Sequence, residues 1–310
     1  MKKHTALVLG STGFIGSNLV KKLMSYKYEV ISFSRSSKPP ESKVHHITGD
    51  FTDLRVVKKL LSTKPDVIFG LIGLSGQVNS NIHAHESFEV NVLAYLQFLN
   101  LVRFKLPNAH LIFSSSRLEY GKPVYLPVDE QHPIQPLSLY GIHKHLISDY
   151  CQFLFRVHQF PTTVIRTSNP YGPHKFRRNH SYNVINYFVD LALKNKEIKL
   201  FGDGRQQRDY LYIDDLVEAF LAIEQNPKSF GKIYNVGSGK GITLNQISTV
   251  IVSQAGKGII KILPWPDEYK QVETGDYISD ISKITKEIKW KPKTSLSEGI
   301  RNTISFQNLL

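Results

Sequence analysis

Tyr140 and Lys144 stand four residues apart in LYGIHKHLISDY, so on a helix they share one face. A tyrosine is a poor base at neutral pH, because its phenol ionises near pH ~10. An ammonium beside it favours the phenolate, and the pair can then exchange a proton with a carbonyl or hydroxyl oxygen. Three serines, Ser114 to Ser116, precede the pair in SSSRLEYG. A second set of chemistry-bearing residues opens the chain. Gly10, Gly13 and Gly16 lie in LVLGSTGFIGSNLV, between an apolar run and a helical pattern. The first glycine allows a tight turn, the second lets the backbone approach a pyrophosphate, and the third permits close helix–strand packing. Phosphates would then lie at a helix N-terminus, where free N–H groups favour negative charge. The next strand ends in VISFSRSS, residues 30–37. Dinucleotide-binding units usually present an acid to a ribose at that point. Arg35 suits the 2′-phosphate of NADP instead, and Ser34 and Ser36 can add hydrogen bonds. The expected cofactor is NADP(H), with NAD(H) as the alternative.

These residues need a scaffold that holds them at one edge. The first half of the chain alternates strand and helix signals. TALVLG, YEVISF, DVIFGLIG, AHLIFSSS and TTVIRTS read as strands. Short continuous apolar runs of this kind fit strands buried on both faces. Helical spacing follows from Phe14 to Met24, Leu54 to Leu61, Phe88 to Val102 and Tyr140 to Val157. Strands alternating with helices imply an α/β fold with a Rossmann-type, doubly wound parallel sheet. After Pro170 the pattern loosens, and a smaller mixed α/β substrate-binding domain is expected. Residues 1–168 and 210–238 are assigned to the dinucleotide-binding domain, and 169–209 and 239–310 to the smaller one. Thr243 and Gln246 form a T-x-x-Q capping box that starts a helix in the last third.

Composition narrows the partners. The chain has 310 residues, 41% of them hydrophobic and 21% charged, as an ordinary globular protein has. A formal net charge of +13 favours anionic small ligands. The lysines are scattered, with no stacking platform or recognition helix, so nucleic acid is not the expected partner. One cysteine, Cys151, excludes a disulfide framework. HAH (83–85) and HKH (143–145) place histidines two apart, which on a helix face different ways, so no metal is assigned. The apolar run after MKKH is too short for a signal peptide, and no stretch is long enough to span a membrane, so a cytoplasmic protein is expected.

The G-x-x-G-x-x-G spacing, the Y-x-x-x-K pair, RTSNPYGP, GDGRQQRDYLYIDD and the W-x-P-x-x-S-L-x-E-G run from Trp290 to Gly299 extend along the chain. Together they resemble the extended short-chain dehydrogenase/reductase family of nucleotide-sugar epimerases, dehydratases and reductases. The resemblance implies that Tyr140 is the acid/base, that Lys144 tunes it and binds the nicotinamide ribose, and that Ser116 orients the reacting oxygen. It also implies that Thr12, Phe14 and Ile15 of the glycine turn, Asp50 and Phe51 of ITGDF, and Leu71 and Gly73 of GLIG line the cofactor site. Asn169 before Pro170, Leu200, Phe201 and Arg208 match the family's substrate contacts, with Arg208 on the phosphates.

Departures from the family pattern refine the expectation. The family's dehydratases resemble S-T-D-E-V-Y-G, with an Asp–Glu pair that eliminates water. Arg117 and Leu118 stand there instead and cannot do that work. The arginine read at the second strand end favours a cofactor exchanged at every turnover. The expected reaction is therefore an NADPH-dependent 4-ketoreduction of a nucleotide-linked 4-keto-6-deoxy sugar. A nucleotide-sugar 4-epimerase is the alternative, and a non-catalytic nucleotide-binding protein is a third reading. Many relatives carry R-P-G-D near the C-terminus, with the arginine on the pyrophosphate, whereas this chain reads Glu273-Thr274-Gly275-Asp276. Another cation must substitute, and Lys175, Arg177 and Arg178 are candidates. The resemblance further implies a homodimer through a helix pair, for which the helices over 88–102 and 140–157 carry surplus apolar positions.

Overall fold

The computed structural model describes residues 4–174 and 183–309. Strands β1 (Thr5–Leu9), β2 (Glu29–Ser34), β3 (His45–Thr48), β4 (Val67–Gly70), β5 (His110–Ser116) and β6 (Thr162–Thr167) enter one sheet. Strands β7 (Asn169–Tyr171), β8 (Glu197–Phe201) and β9 (Gln207–Tyr212) leave it, and β10 (Lys232–Val236) returns to it. The order is β3-β2-β1-β4-β5-β6-β10 over seven strands, with every neighbouring pair parallel. Both faces are covered, which explains the unbroken apolar runs. In β1, Ala6 and Val8 enter one core cluster while Leu7 and Leu9 enter the other.

Helices α1 (Phe14–Ser25), α2 (Leu54–Ser62), α3 (Gln77–Ile82), α4 (Ala84–Phe88), α5 (Ala94–Lys105) and α6 (Leu139–His158) connect the parallel strands. The sequence suggests one helix over 88–102. The structure instead places a π-helical turn, Glu89–Leu93, between α4 and α5. Helix α7 (Val184–Leu193) and helix α8 (Ile213–Glu224) follow, and α8 packs against α1.

Strands β7 and β9 pair in parallel, and β11 (Gly241–Thr243) joins β9 antiparallel. Strand β9 runs unbroken across residue 210, where the sequence reading sets a domain boundary. Strand β12 (Ile259–Leu263) pairs with β8. Helix α9 (Leu244–Ala255) starts at the capping box, with both reciprocal bonds of Thr243 and Gln246 formed. The chain closes with α10 (Asp267–Lys270), α11 (Ser282–Ile288) and α12 (Leu296–Gln307), and α12 packs on α7 and α9. Among the described residues no helix is long and apolar enough to cross a membrane.

Strand order reverses between β1 and β4. In open parallel sheets, ligands bind in the crevice at the carboxyl ends of the strands at such a switch point. Gly10 and Leu71 stand there, and Leu71 N–H donates to Leu9 O at 3.1 Å.

Candidate active site

The glycine turn is built for close approach. Gly10 has φ +82°, and a side chain there would meet the backbone of Leu71 and Ile72 at 3.1 Å. A Cβ at Gly16 would press into Gly10 O and lie 2.9 Å from Ser11 Cα. Gly13 is exposed and caps α1 without a side chain, so the backbone N–H groups of the first helical turn open onto the crevice. Thr12, Phe14 and Ile15 lie half-buried around it. Gly10 and Ser11 both donate from backbone N–H to Phe33 O, at 2.9 and 3.0 Å. That ties the turn to the end of β2. Ser34 is buried there and donates from Oγ to Ser36 O at 3.2 Å, while Arg35 is exposed. Asp50 is exposed and accepts from Thr52 N–H and Oγ, which hold its carboxyl below the usual value with help from Arg35. These residues fit a dinucleotide: a helix N-terminus free of side-chain caps for the pyrophosphate, with exposed Arg35 and Asp50 just past the ends of the neighbouring strands β2 and β3.

Phe51, beside Asp50, packs its side chain against Phe33, Tyr95 and Phe98, with ring centroids 5.2 to 6.2 Å apart. Leu71 is half-buried and Gly73 is exposed beyond β4. A Cβ at Gly73 would lie 3.1 Å from Asn91 Oδ1 and 3.7 Å from Lys144 Nζ, so this loop passes close to Lys144 of α6. Asn91 explains the π turn. Its amide pairs with Leu74 on both sides, accepting from N–H at 2.8 Å and donating to O at 2.9 Å. The wider turn aims the side chain across to that loop, a common use of π-bulges at functional sites.

Tyr140 and Lys144 occupy the first turns of α6. The helix N-terminus is pinned from α3, where Ser80 Oγ accepts from Tyr140 N–H at 3.0 Å and Asn81 Oδ1 from Leu139 N–H at 2.9 Å. Ser138 is the N-cap itself. Lys144 Nζ lies 5.8 Å from the Tyr140 ring centroid and donates to Ser114 O at 2.7 Å. Ser116 ends β5, and its Oγ accepts from Leu118 N–H at 3.2 Å. The structure corrects one point of electrostatics. Among the chain's own groups, burial pushes the Tyr140 phenol upward and the Glu119 carboxylate adds to the rise. Burial also pushes Lys144 down, to about 8, with Glu119 opposing.

Glu119 organises the floor of the site and was not legible as a functional residue. It is fully buried, accepts from Arg166 Nε at 3.0 Å and Ser148 Oγ at 2.7 Å, and also from Ser115 Oγ. His145 Nδ1 lies 3.2 Å away. These partners hold its carboxyl below the usual glutamate range despite burial.

The residues that match the family's substrate contacts lie on β7, β8 and β9. Asn169 Nδ2 donates to Asp209 O at 2.8 Å, and its Oδ1 accepts from Arg117 Nε at 3.2 Å. Arg208 is paired with Glu273 and donates to Gly275 O at 2.6 Å. Leu200 lies on the inward face of β8, and its side chain is wholly buried in the core. Phe201 faces the other way and packs against Trp265 and Tyr269, at 5.6 and 5.8 Å. Lys175, Arg177 and Arg178 lie outside the described residues.

With this geometry the similarities to known proteins take on meaning. The model of the NAD dependent epimerase/dehydratase family matches residues 6–237. A protein of Methanocaldococcus jannaschii named "Putative UDP-glucose 4-epimerase" is 32% identical over 97% of both chains. The crystal structure of a Thermotoga maritima UDP-glucose 4-epimerase with UDP-glucose superposes with a TM-score of 0.89 at 28% identity, over 98% of this chain and 99% of that one. A Thermus thermophilus UDP-glucose 4-epimerase in complex with NAD gives a TM-score of 0.89 at 26% identity, with the same coverage.

Proposed function

Because this chain belongs to the NAD-dependent epimerase/dehydratase family of extended short-chain dehydrogenases/reductases, we propose that it interconverts the C4 epimers of a nucleotide-linked sugar with a nicotinamide dinucleotide as cofactor. The observation that carries this reading is a conjunction. End-to-end likeness to UDP-glucose 4-epimerases occurs in a chain where Lys144, 5.8 Å from the Tyr140 ring, is anchored on Ser114 O of the strand that ends at Ser116. The same chain has Arg117 and Leu118 where a dehydratase needs its acid–base pair.

The dinucleotide, when bound, supplies a hydride acceptor and donor at the sugar carbon. Gly10, Gly13 and Gly16 would admit its pyrophosphate to the end of α1. Tyr140 holds the C4 oxygen, accepts its proton as the alcohol is oxidised, and returns the proton once the sugar presents its other face. Ser116 donates a hydrogen bond to the same oxygen. Lys144, anchored on Ser114 O, places its charge behind the phenol, and a positive neighbour favours the phenolate that burial otherwise opposes.

One observation favours the 4-ketoreductase as a second reading. Arg35 is an exposed guanidinium at the end of β2, suited to a 2′-phosphate. The two readings separate in one assay. Purified protein is given UDP-glucose or UDP-galactose without added reductant, and the sugars are resolved by chromatography. Reaching the same mixture from either side with no net cofactor consumption is expected. Turnover confined to 4-keto-6-deoxy sugars, with one NADPH oxidised per product, would move the assignment to the ketoreductase.

A further inference from the structure

Arg117 is only 7% exposed, on the short 3-10 turn (Arg117–Glu119) directly after Ser116. Its guanidinium is fixed from three directions. Nε donates to Asn169 Oδ1 at 3.2 Å, Nη1 donates to Thr274 Oγ at 3.0 Å, and the group lies 5.0 Å over the Tyr277 ring. None of these partners is an anion. Among the described residues no carboxylate lies within ion-pair distance of Arg117, and Nη2 donates to none of them. Arg166, buried nearby on β6, shows the ordinary arrangement, with its ion pair to Glu119 at 3.0 Å.

Taking an ion out of water costs several kcal/mol unless a counter-charge compensates. The carboxylate nearest in kind, Glu273, is already paired with Arg208. Burial, and after it repulsion from Arg208, lower the affinity of Arg117 for its proton, with Tyr277 and Glu273 opposing only in part. Of these two neighbouring guanidinium groups, Arg208 has the ion pair with Glu273, and Arg117, beside Ser116 and Asn169, has none among the described residues. Glu273 also occupies the position where the sequence pattern expects a phosphate-binding arginine.

We infer that Arg117 is the anion receptor of this site and grips an oxyanion at the sugar end of the bound nucleotide sugar. It takes over the cationic role that Glu273 cannot play. A guanidinium held on edge by Nε and Nη1 still offers Nη2, and paired oxygens are what such a fork binds best. The oxyanion can be the phosphate next to the sugar or a carboxylate on the sugar ring. The inference rests on the nucleotide-sugar reading above.

Binding of UDP, UDP-glucose and UDP-glucuronate to the full chain, with its dinucleotide bound, is measured by titration calorimetry. Wild type is compared with Arg117→Gln and Arg117→Lys. The lysine variant keeps the buried charge but loses the fork, so it serves if the glutamine variant does not fold. A loss of tenfold or more for all three ligands supports the inference and assigns the phosphate. A loss confined to UDP-glucuronate supports it and assigns a ring carboxylate. Changes under threefold for every ligand, with melting temperatures like wild type, overturn it. Failure of wild type to bind any of the three overturns the nucleotide-sugar reading, and the inference with it.

Discussion

A phenol held protonated by its surroundings becomes an acid/base only when a bound group makes its anion worthwhile. Tyr140 is in that position, and its replacement isolates the proton step. Tyr140→Phe should lower kcat by about 10²–10⁴-fold, the range for losing a general acid/base. Dinucleotide retention and UDP binding should stay within twofold, because the ring remains in place. Stopped assays beside calorimetry check this, and a variant with near-normal kcat would remove Tyr140 from the mechanism. Arg35 is tested separately. Arg35→Ala should weaken NADPH at least tenfold while leaving NADH within twofold, read by fluorescence titration. Equal loss of both, or of neither, would leave Arg35 a surface residue. Tyr140, Lys144 and the glycine turn could be read from the sequence because each is a short local pattern. Arg117 could not, since its partner Thr274 lies 157 positions away and nothing in SSSRLEYG points to it. Ser80, which pins Tyr140 N–H, lies 60 positions upstream and is equally silent.

At the scale of elements, alternating apolar runs and helical spacing were enough to foresee a parallel sheet, because strands buried on both faces carry that signature. The π turn at Glu89–Leu93 was not foreseeable, since an apolar periodicity survives one inserted residue while only the bond from Asn91 to Leu74 needs the insertion. The turn from β1 into α1 supplies the sharpest element-level prediction. Gly16→Ala forces a Cβ against backbone atoms of Gly10 and Ser11, which cannot rotate away. A cost of about 1–3 kcal/mol and loss of bound dinucleotide are expected. Gly13→Ala meets only Gly10 O at 3.2 Å and should cost much less. Thermal melts with and without dinucleotide compare them, and equal costs would count against the packing argument. The Glu119 network, which ties β5 to α6 and β6, adds a pH signature. Glu119 raises the His145 pKa above its ordinary value. A raised value means the bond stabilises the fold fully below the unfolded histidine pKa, near ~6.5, and is lost as pH climbs through the native one. The melting-temperature gap between wild type and His145→Gln should thus be widest near pH 5.5 and close by pH 8.5.

Across the whole molecule, one surface is more apolar than a lone chain needs. Ile142, Tyr150, Phe153 and Val157 are all exposed on α6, at 45%, 39%, 41% and 53%. Their spacing puts them on one stripe of the helix, beside the face that buries Ile147, Cys151 and Leu154. Phe88, Leu93 and Phe104 extend the exposed surface along α4, the π turn and α5. Apolar patches of this extent, on helices already anchored to a sheet, commonly mark an association surface. We propose that α5 and α6 pair with the same helices of a second copy about a two-fold axis, which makes the contact self-complementary. Such an interface would also steady α6, whose first turns carry Tyr140 and Lys144. Phe153→Asp places one charge in each half of the patch, so two meet across the axis. Light scattering should show wild type at about twice the mass of one chain and the variant at the mass of one chain. The variant should keep a folded circular dichroism spectrum and lose activity in proportion to how far α6 loosens. A wild-type protein that scatters as a single chain at all concentrations would show that the stripe has another use.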